Sequence, residues 1–429
     1  MRRGVEAEWA FHATNAAVFA ALAKGRHGES LREYFGTQAF DELSVLARAA
    51  DGARTRRGPR VLIIPGMMGS RLSEIGRRAG GASAARVLWI DPRRIAAGHL
   101  ANLKLPSARA IRARGVMLPS YAKLKLRLAI EGFDADFFAY DWRLGIDTIG
   151  ARLAASLAAA GRPTVLIAHS MGALVARIAV NQVAKRLVRK LFMLGAPNHG
   201  AFAPVLALRG TYPFVRKLSR LDLEHSADQL ATNVFCTFPG LYQMLPPHSS
   251  DLGVDLLDAQ AWPNTGPKPD AALLKRVAQV RASMAVPDER MVQIVGVNRD
   301  TVVAVRRTAA GFEYVSSANG DGTVPVNLAL LPGLETYFAD EGHGNLLNNS
   351  AVIDALTGLL RNTGTCALAQ SFQPTRGAPR SVDDAQLRML VDAAKIDWRR
   401  LDSAQREAVL SDLDGGREED LVGSAPSLA

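Results

Sequence analysis

The chain has 429 residues, 48% hydrophobic and 22% charged, with 52 Lys plus Arg against 41 Asp plus Glu for a net charge of +11. That length can bury a sizeable core, and no run of about eighteen or more uncharged apolar residues marks a membrane-spanning helix. The two cysteines, Cys236 and Cys366, provide no disulfide framework, although their spacing does not forbid pairing; no His, Cys or carboxylate cluster has metal-ligand spacing, so no metal and no cofactor is expected.

Residues 1–58 read as a helical, Arg-rich leader outside the core, with apolar positions at helical spacing over 30–48. Glu6, Glu8, His12 and Asn15 interrupt the N-terminal apolar stretch and no cleavage box follows it. An amphipathic helix of a cytoplasmic protein is therefore expected rather than a signal sequence. An α/β domain spans 59–365. It opens with the apolar strand from Arg60, which runs into a glycine-rich loop, Pro65-Gly66-Met67-Met68-Gly69-Ser70, followed by an Arg-, Gly- and Ala-rich insertion at 71–119, a lid candidate. Next come a helix at 121–131, a strand at 133–140, a helix at 148–160, a strand at 164–168, a helix to about 185 and a strand at 189–194. This alternation predicts a doubly wound, mostly parallel sheet.

Between 200 and 287 the alternation breaks into short, proline-punctuated helical pieces, the pattern of a cap insertion. Phe214, Phe235, Phe238, Leu241, Tyr242 and Met244 within it read as the cap's own small core before they read as an acyl pocket. The domain resumes with a strand at 291–297, a hairpin at 301–316, a strand at 335–338 and a helix at 346–360. Residues 366–429 form a polar, partly helical tail with periodicity around Trp398 and Leu401. From Ser381 onward the net charge is −5, leaving +16 for the preceding chain, so the tail is expected to dock on the body through opposite charge. A basic body suits peripheral contact with an anionic lipid surface, and also arises with no partner at all. Nucleic acid is not an expected partner, since no binding motif is visible.

Chemistry concentrates at Ala168-His169-Ser170-Met171-Gly172, where an apolar strand meets a helix and small residues flank a serine. A serine hydroxyl needs a tight turn to stand clear of the backbone and a base to take its proton. Here Ala168 stands where the G-x-S-x-G pattern has its first glycine. An ordinary buried serine in a strand-turn-helix is the alternative. Downstream, Gly320-Asp321-Gly322 places a carboxylate and Gly342-His343-Gly344 an imidazole in glycine-bracketed loops, in the chain order serine, acid, histidine. Alone, Asp321 reads as a turn residue and His343 as a capping histidine; together with Ser170 they read as a catalytic set. His199, after the strand at 189–194, is the second candidate base, and His169 is assigned to packing behind the serine. The two oxyanion donors are the backbone N–H groups of Met171 and, from the glycine-rich loop, Met67. That loop lacks the Lys and Ser/Thr of a phosphate-binding loop.

These pieces, together with Leu88-Trp89-Ile90-Asp91, Phe138-Ala139-Tyr140-Asp141-Trp142-Arg143 and Gly195-Ala196-Pro197, occur in the order found in the lecithin:cholesterol acyltransferase family of α/β-hydrolases, which the chain resembles over roughly residues 60–360. The resemblance implies an α/β-hydrolase fold with Ser170, Asp321 and His343 as triad, Met67 and Met171 at the oxyanion hole, and an acyl ester or phospholipid as substrate. Two departures stand out: Ala168, and the lack of cysteines between Ser70 and Trp89, where secreted animal members carry a disulfide-closed lid. Asp141 and Arg143 are expected to form a structural ion pair and Trp142 to pack in the core. The expected activity is hydrolysis of acyl, chiefly lipid, esters through an acyl-enzyme on Ser170. Acyl transfer from a phospholipid to an alcohol is the alternative, and a catalytically silent binding or scaffold protein is the alternative of another class.

Overall fold

Strands buried on both faces need apolar residues at every position, and Val61-Leu62-Ile63-Ile64, Val165-Leu166-Ile167-Ala168 and Leu191-Phe192-Met193-Leu194 supply them. The computed structural model describes residues 9–53, 58–77, 83–247, 254–374, 378–389 and 395–413. Its strands are β1 (Arg60–Ile64), β2 (Ser70–Arg77), β3 (Ser83–Trp89), β4 (Ile111–Val116), β5 (Asp134–Phe137) and β6 (Thr164–His169) in the first half of the chain. In the second half they are β7 (Val188–Leu194), β8 (Met291–Gly296), β9 (Thr301–Thr308), β10 (Gly311–Ser317), β11 (Glu335–Ala339) and β12 (Arg380–Asp383).

The central sheet is parallel, in the order β11-β8-β7-β6-β1-β5. From β1 the chain goes outward to β5 and then returns to β6 on the other side of β1. The loops after β1 and β6 therefore diverge at a topological switch point, where open α/β sheets place their sites. These two loops carry Gly66 to Ser70 and Ser170.

Side chains alternate between two cores. Val61, Ile63, Val165, Ile167, Phe192 and Leu194 face one; Leu62, Ile64, Leu166, Ala168, Leu191 and Met193 face the other. The second core is covered by the helices Ile146–Ala160 and Met171–Gln182 and by the cap. The first is covered by Leu118–Ile130, Ser350–Leu360 and the N-terminal helices Asn15–Lys24, Gly28–Phe35 and Thr37–Gly52. This corrects the expectation of a leader outside the core: Phe11, Val18, Leu22, Leu31 and Leu43 are buried in the same cluster as the strands. Asn15, which interrupts the apolar stretch in sequence, exchanges two side-chain hydrogen bonds with the backbone of Val116 at the end of β4.

The lid candidate contains a three-stranded antiparallel sheet, β3-β2-β4, with the short helix Pro92–Ala96 capped by Asp91. The part of its Gly/Ala-rich tip at 78–82 lies outside the described residues. Strand β5 stops three residues before the expected end, because Tyr140 N–H turns to Ser70 Oγ instead of continuing the ladder. The cap consists of short helices whose Phe235, Phe238, Leu241 and Tyr242 are buried in the same cluster as Leu62 and Ile64 of the sheet, so they share the main core and do not form a small core of the cap's own.

The tail docks on the body, as expected of opposite charge. It is polar in composition, yet β12 extends the β9-β10 hairpin into a three-stranded sheet and Trp398 is fully buried. The charges are internal partners. Arg209, 0% exposed, donates through Nε and Nη2 to Asp384 Oδ2 (3.1 and 2.6 Å), and Tyr314 donates its hydroxyl to Asp384 Oδ1 (2.7 Å). Lys395 Nζ donates to the carbonyls of Ser219, Asp222 and His225 in the cap, at 2.7, 2.7 and 2.8 Å. Cys236 is buried and Cys366 exposed, and both are free thiols. Removing one member of a buried ion pair leaves an uncompensated charge. Arg209→Met should therefore lower the unfolding free energy by about 3–5 kcal/mol in urea titrations; a loss below about 1 kcal/mol would show that the tail is not held through this pair.

Candidate active site

Strand β6 ends at His169, and the helix Met171–Gln182 begins one residue after Ser170. Ser170 itself has φ 54° and ψ −128°, a conformation costly for a residue with a side chain and held here by a hydrogen bond from its N–H to the Leu194 carbonyl (2.9 Å). Room for this turn is made by glycines. A Cβ on Gly172 would lie 2.4 Å from the Pro65 carbonyl oxygen, and one on Gly66 would lie 2.9 Å from Ser170 Cβ. Ala168 occupies no such contact zone: its methyl points into the core, fully buried. The glycine-to-alanine departure is therefore sterically innocuous.

The three loops meet. His343 Nε2 is 2.9 Å from Ser170 Oγ, and His343 Nδ1 is 2.7 Å from Asp321 Oδ2. A carboxylate only accepts, so Nδ1 carries the hydrogen and Nε2 presents its lone pair to the serine hydroxyl. Asp321 is 2% exposed, and its other oxygen accepts from the N–H groups of Thr323 (3.0 Å) and Val324 (2.7 Å). His343 N–H donates to the Asp321 carbonyl (2.8 Å), which ties the acid and histidine loops together through the backbone. Gly195 leaves the space for this pair, since a Cβ there would come within 3.0 Å of His343 Nδ1 and 3.1 Å of Asp321 Oδ2. His199, the second candidate base, makes no hydrogen bond to Ser170; its imidazole is bonded to the backbone of Leu330.

Met67 and Met171 flank the serine. The Met67 loop passes directly over it, Met171 is the first residue of the following helix, and neither backbone N–H has an acceptor among the described residues. The cap closes on their side chains: a Cβ on Gly240 would meet Met171 Sδ at 3.2 Å and Met67 Cε at 3.6 Å.

The loop from Pro65 to Ser70 is clamped from four directions. Tyr140 donates its hydroxyl to the Pro65 carbonyl (2.6 Å), Trp142 Nε1 donates to the Ser70 carbonyl (2.9 Å), Trp89 Nε1 donates to the Met68 carbonyl (2.8 Å), and Tyr121 Oη accepts the Gly66 N–H (2.9 Å). Asp141 and Arg143 form the expected buried pair, with Arg143 Nε and Nη2 on the two carboxylate oxygens (2.8 and 2.6 Å) and Nη1 on the Leu103 carbonyl (3.0 Å) of the inserted subdomain.

Tyr121 was not legible as a site residue from sequence. Its hydroxyl also lies 3.2 Å from His169 Nδ1, and His169 Nε2 lies 2.9 Å from the His343 carbonyl. The carbonyl can only accept, so His169 carries its hydrogen on Nε2 and takes the Tyr121 hydrogen on Nδ1. The result is one directed chain from the Gly66 amide to the backbone of His343. Tyr212 also escaped sequence reading; it reaches from the cap to hydrogen-bond the Thr323 side chain near Asp321, and burial, with a smaller contribution from that carboxylate, raises its pKa. A cavity of ≈ 380 Å³ lined by residues including His12, Arg86, Asp91, Arg94 and His99 contains none of these groups. No group of three or more His, Cys, Asp or Glu side chains suited to a metal occurs among the described residues, and no described helix is long and apolar enough to cross a membrane.

Sheet order, elbow and loop arrangement define an α/β-hydrolase fold. Residues 118–279 match the family model of lecithin:cholesterol acyltransferase, which supports an esterase or acyltransferase enzyme. No curated protein sequence matches the chain. Among solved structures, the chain is similar to the mature Bacillus licheniformis lipase BlEst2 at 15% identity, over 70% of this chain and 91% of that one, with TM-score 0.36. It is also similar to a chain of the Tle4-Tli4 complex at 13% identity, over 72% and 99%, with TM-score 0.45. A third is phospholipase PlaB from Legionella pneumophila at 12% identity, over 64% and 46%, with TM-score 0.27.

Burial, then the nearby positive form of His343, pushes the His169 pKa down to about 3 against a weaker opposing bond to the His343 carbonyl. His169 should accordingly stay neutral throughout the folded range, and its imidazole NMR resonances should not titrate between pH 4.5 and 8. A midpoint near the ordinary histidine value of about 6.5 would refute the fixed tautomer.

Proposed function

We propose that the protein is a serine-dependent lipid-ester hydrolase that forms an acyl-enzyme on Ser170. The observation that carries this reading is the uninterrupted chain Ser170 Oγ, His343 Nε2, His343 Nδ1, Asp321 Oδ2 at hydrogen-bond distances.

In this reading His343 Nε2 takes the hydroxyl proton as Ser170 Oγ bonds to the acyl carbon, and Asp321 holds the tautomer and stabilises the imidazolium. The carbonyl oxygen becomes an oxyanion received by the Met67 and Met171 amides. The proton then passes from His343 to the departing alkoxy oxygen as the ester C–O bond breaks. Water completes the cycle: it gives a proton to His343, its oxygen bonds to the acyl carbon, and collapse returns the proton to Ser170 with release of the carboxylic acid.

Acyl transfer is the second reading, supported by the family match over 118–279; there an alcohol takes the place of water. A cap seated on Met67 and Met171 supports either reading, since water exclusion decides between the two acceptors. Labelled phospholipid supplied with and without a long-chain alcohol separates them by product: free fatty acid alone for hydrolysis, a new ester for transfer. Peripheral contact with anionic lipid belongs to this proposal. It is supported by residues 71–119, which carry ten Lys or Arg against two Asp or Glu.

Ser170→Ala should lower kcat on a p-nitrophenyl ester by about 10⁴-fold or more, and Asp321→Asn by a factor of the order of 10⁴, with circular dichroism unchanged. A fluorophosphonate probe should label the wild-type chain at Ser170 and leave the variant unlabelled. Turnover near the wild-type rate in Ser170→Ala would remove Ser170 as nucleophile. Absent labelling of the wild type would favour the silent scaffold.

A further inference from the structure

Asp321 orients the imidazole of His343, but the backbone that carries this imidazole must also be held at a set distance from Ser170. Both main-chain groups of His343 are engaged. Its N–H donates to the Asp321 carbonyl (2.8 Å), and its carbonyl accepts the His169 Nε2 hydrogen (2.9 Å). The first bond joins it to another loop. The second reaches the central sheet itself, at the last residue of β6 and one position before Ser170.

His169 is in turn held on its other ring nitrogen by Tyr121 (3.2 Å), which receives the Gly66 N–H (2.9 Å). His169 is 5% and Tyr121 2% exposed, so neither bond is exchanged with bulk water. The direction is fixed at both ends of this relay, by an amide that only donates and a carbonyl that only accepts. Its surroundings are tight: a Cβ on Gly66 would lie 3.2 Å from His169 Nδ1, and one on Gly69 would lie 2.6 Å from Tyr121 Oη. The helix Leu118–Ile130, which carries Tyr121, meets the segment after His343 a second time, where Asn348 Nδ2 donates to the Pro119 carbonyl (2.9 Å). The His169 and His343 rings lie 4.8 Å apart between centroids.

We propose that His169, set by Tyr121, is a positioning residue that fixes the backbone of His343 relative to Ser170 and to the Gly66 loop. This rests on the reading of Ser170 as nucleophile and His343 as its base. A packing role would require only the volume of an imidazole. The hydrogen bonds on both ring nitrogens require more, since an apolar side chain of similar volume would leave the His343 carbonyl and the Tyr121 hydroxyl without this partner at a buried place. A base displaced by about 1 Å loses about 10²-fold in rate, and the bond from His169 is the one that ties His343 directly to the strand bearing the nucleophile.

The test compares His169→Leu, His169→Gln and Tyr121→Phe in the full chain, by kcat and KM on a p-nitrophenyl ester and by the rate of fluorophosphonate labelling. Glutamine keeps an N–H donor near the place of Nε2, whereas leucine fills the volume without one. His169→Leu should lower kcat and the labelling rate by about 10- to 100-fold with KM changed by no more than about twofold. His169→Gln should recover most of that loss, to within about fivefold of wild type. Packing alone predicts the reverse order, because a buried glutamine is harder to accommodate than leucine. Tyr121→Phe keeps the ring and removes the hydroxyl, and should lower kcat by about three- to tenfold; it decides the matter if the variants at 169 fail to fold. Leucine performing as well as glutamine, a change confined to KM, or wild-type rates in Tyr121→Phe would overturn the proposal. Failure of the nucleophile assignment is read separately, as turnover or labelling that survives in Ser170→Ala whatever the substitutions at 169 do.

Discussion

The site depends on close approach of two loops at the sheet's switch point. Gly66 and Gly172 bring the turn after β1 and the elbow after β6 into contact that no side chain could enter. Bare backbone in such proximity would be free to wander. It is fixed instead by aromatic donors and an acceptor from separate elements: Tyr121 from a helix, Trp89 from β3, and Tyr140 and Trp142 from the segment after β5. Amides aimed at a developing charge are effective only when they need no rearrangement at the moment of reaction. For the donors proposed here the clamp would supply that rigidity, and the strained backbone of Ser170 persists because its surroundings over-determine it.

Much of this arrangement could be read from the chain. The doubly wound sheet followed from apolar runs alternating with helical periods, and the meeting of Ser170, Asp321 and His343 was expected from glycine-bracketed loops in a particular order. The clamp was visible only as a pattern: Tyr140 to Arg143 was distinctive, but which carbonyls Tyr140 and Trp142 would reach depends on tertiary approach. Tyr121 lies on an amphipathic helix with nothing local to distinguish it from a core tyrosine. His169 was assigned to packing, and its two hydrogen bonds show that it also connects, through Tyr121, the Gly66 loop to the histidine loop.

The two ends of the chain were the least legible, for related reasons. An N-terminal helix looks peripheral when the strand face it covers lies about forty residues downstream, and Asn15 looks like an interruption until Val116 is placed opposite it. In the tail, the sequence set Trp398 apart but not Asp384, which is charged and yet buried. Asp384 belongs to the interior only once Arg209 and Tyr314 are supplied by the cap and the hairpin. Local periodicity carries no information about such remote complements.

Lys395 binds the end of the cap helix Pro213–Leu221 by gathering three backbone oxygens around one ammonium group, and that helix begins next to Tyr212, which touches the acid loop. The cap beside Ser170 is thus moored from the C-terminal segment of the chain. Any event that frees this mooring, whether clipping or masking of the lysine's charge, would act on the cap that meets Met67 and Met171 without touching Ser170, Asp321 or His343.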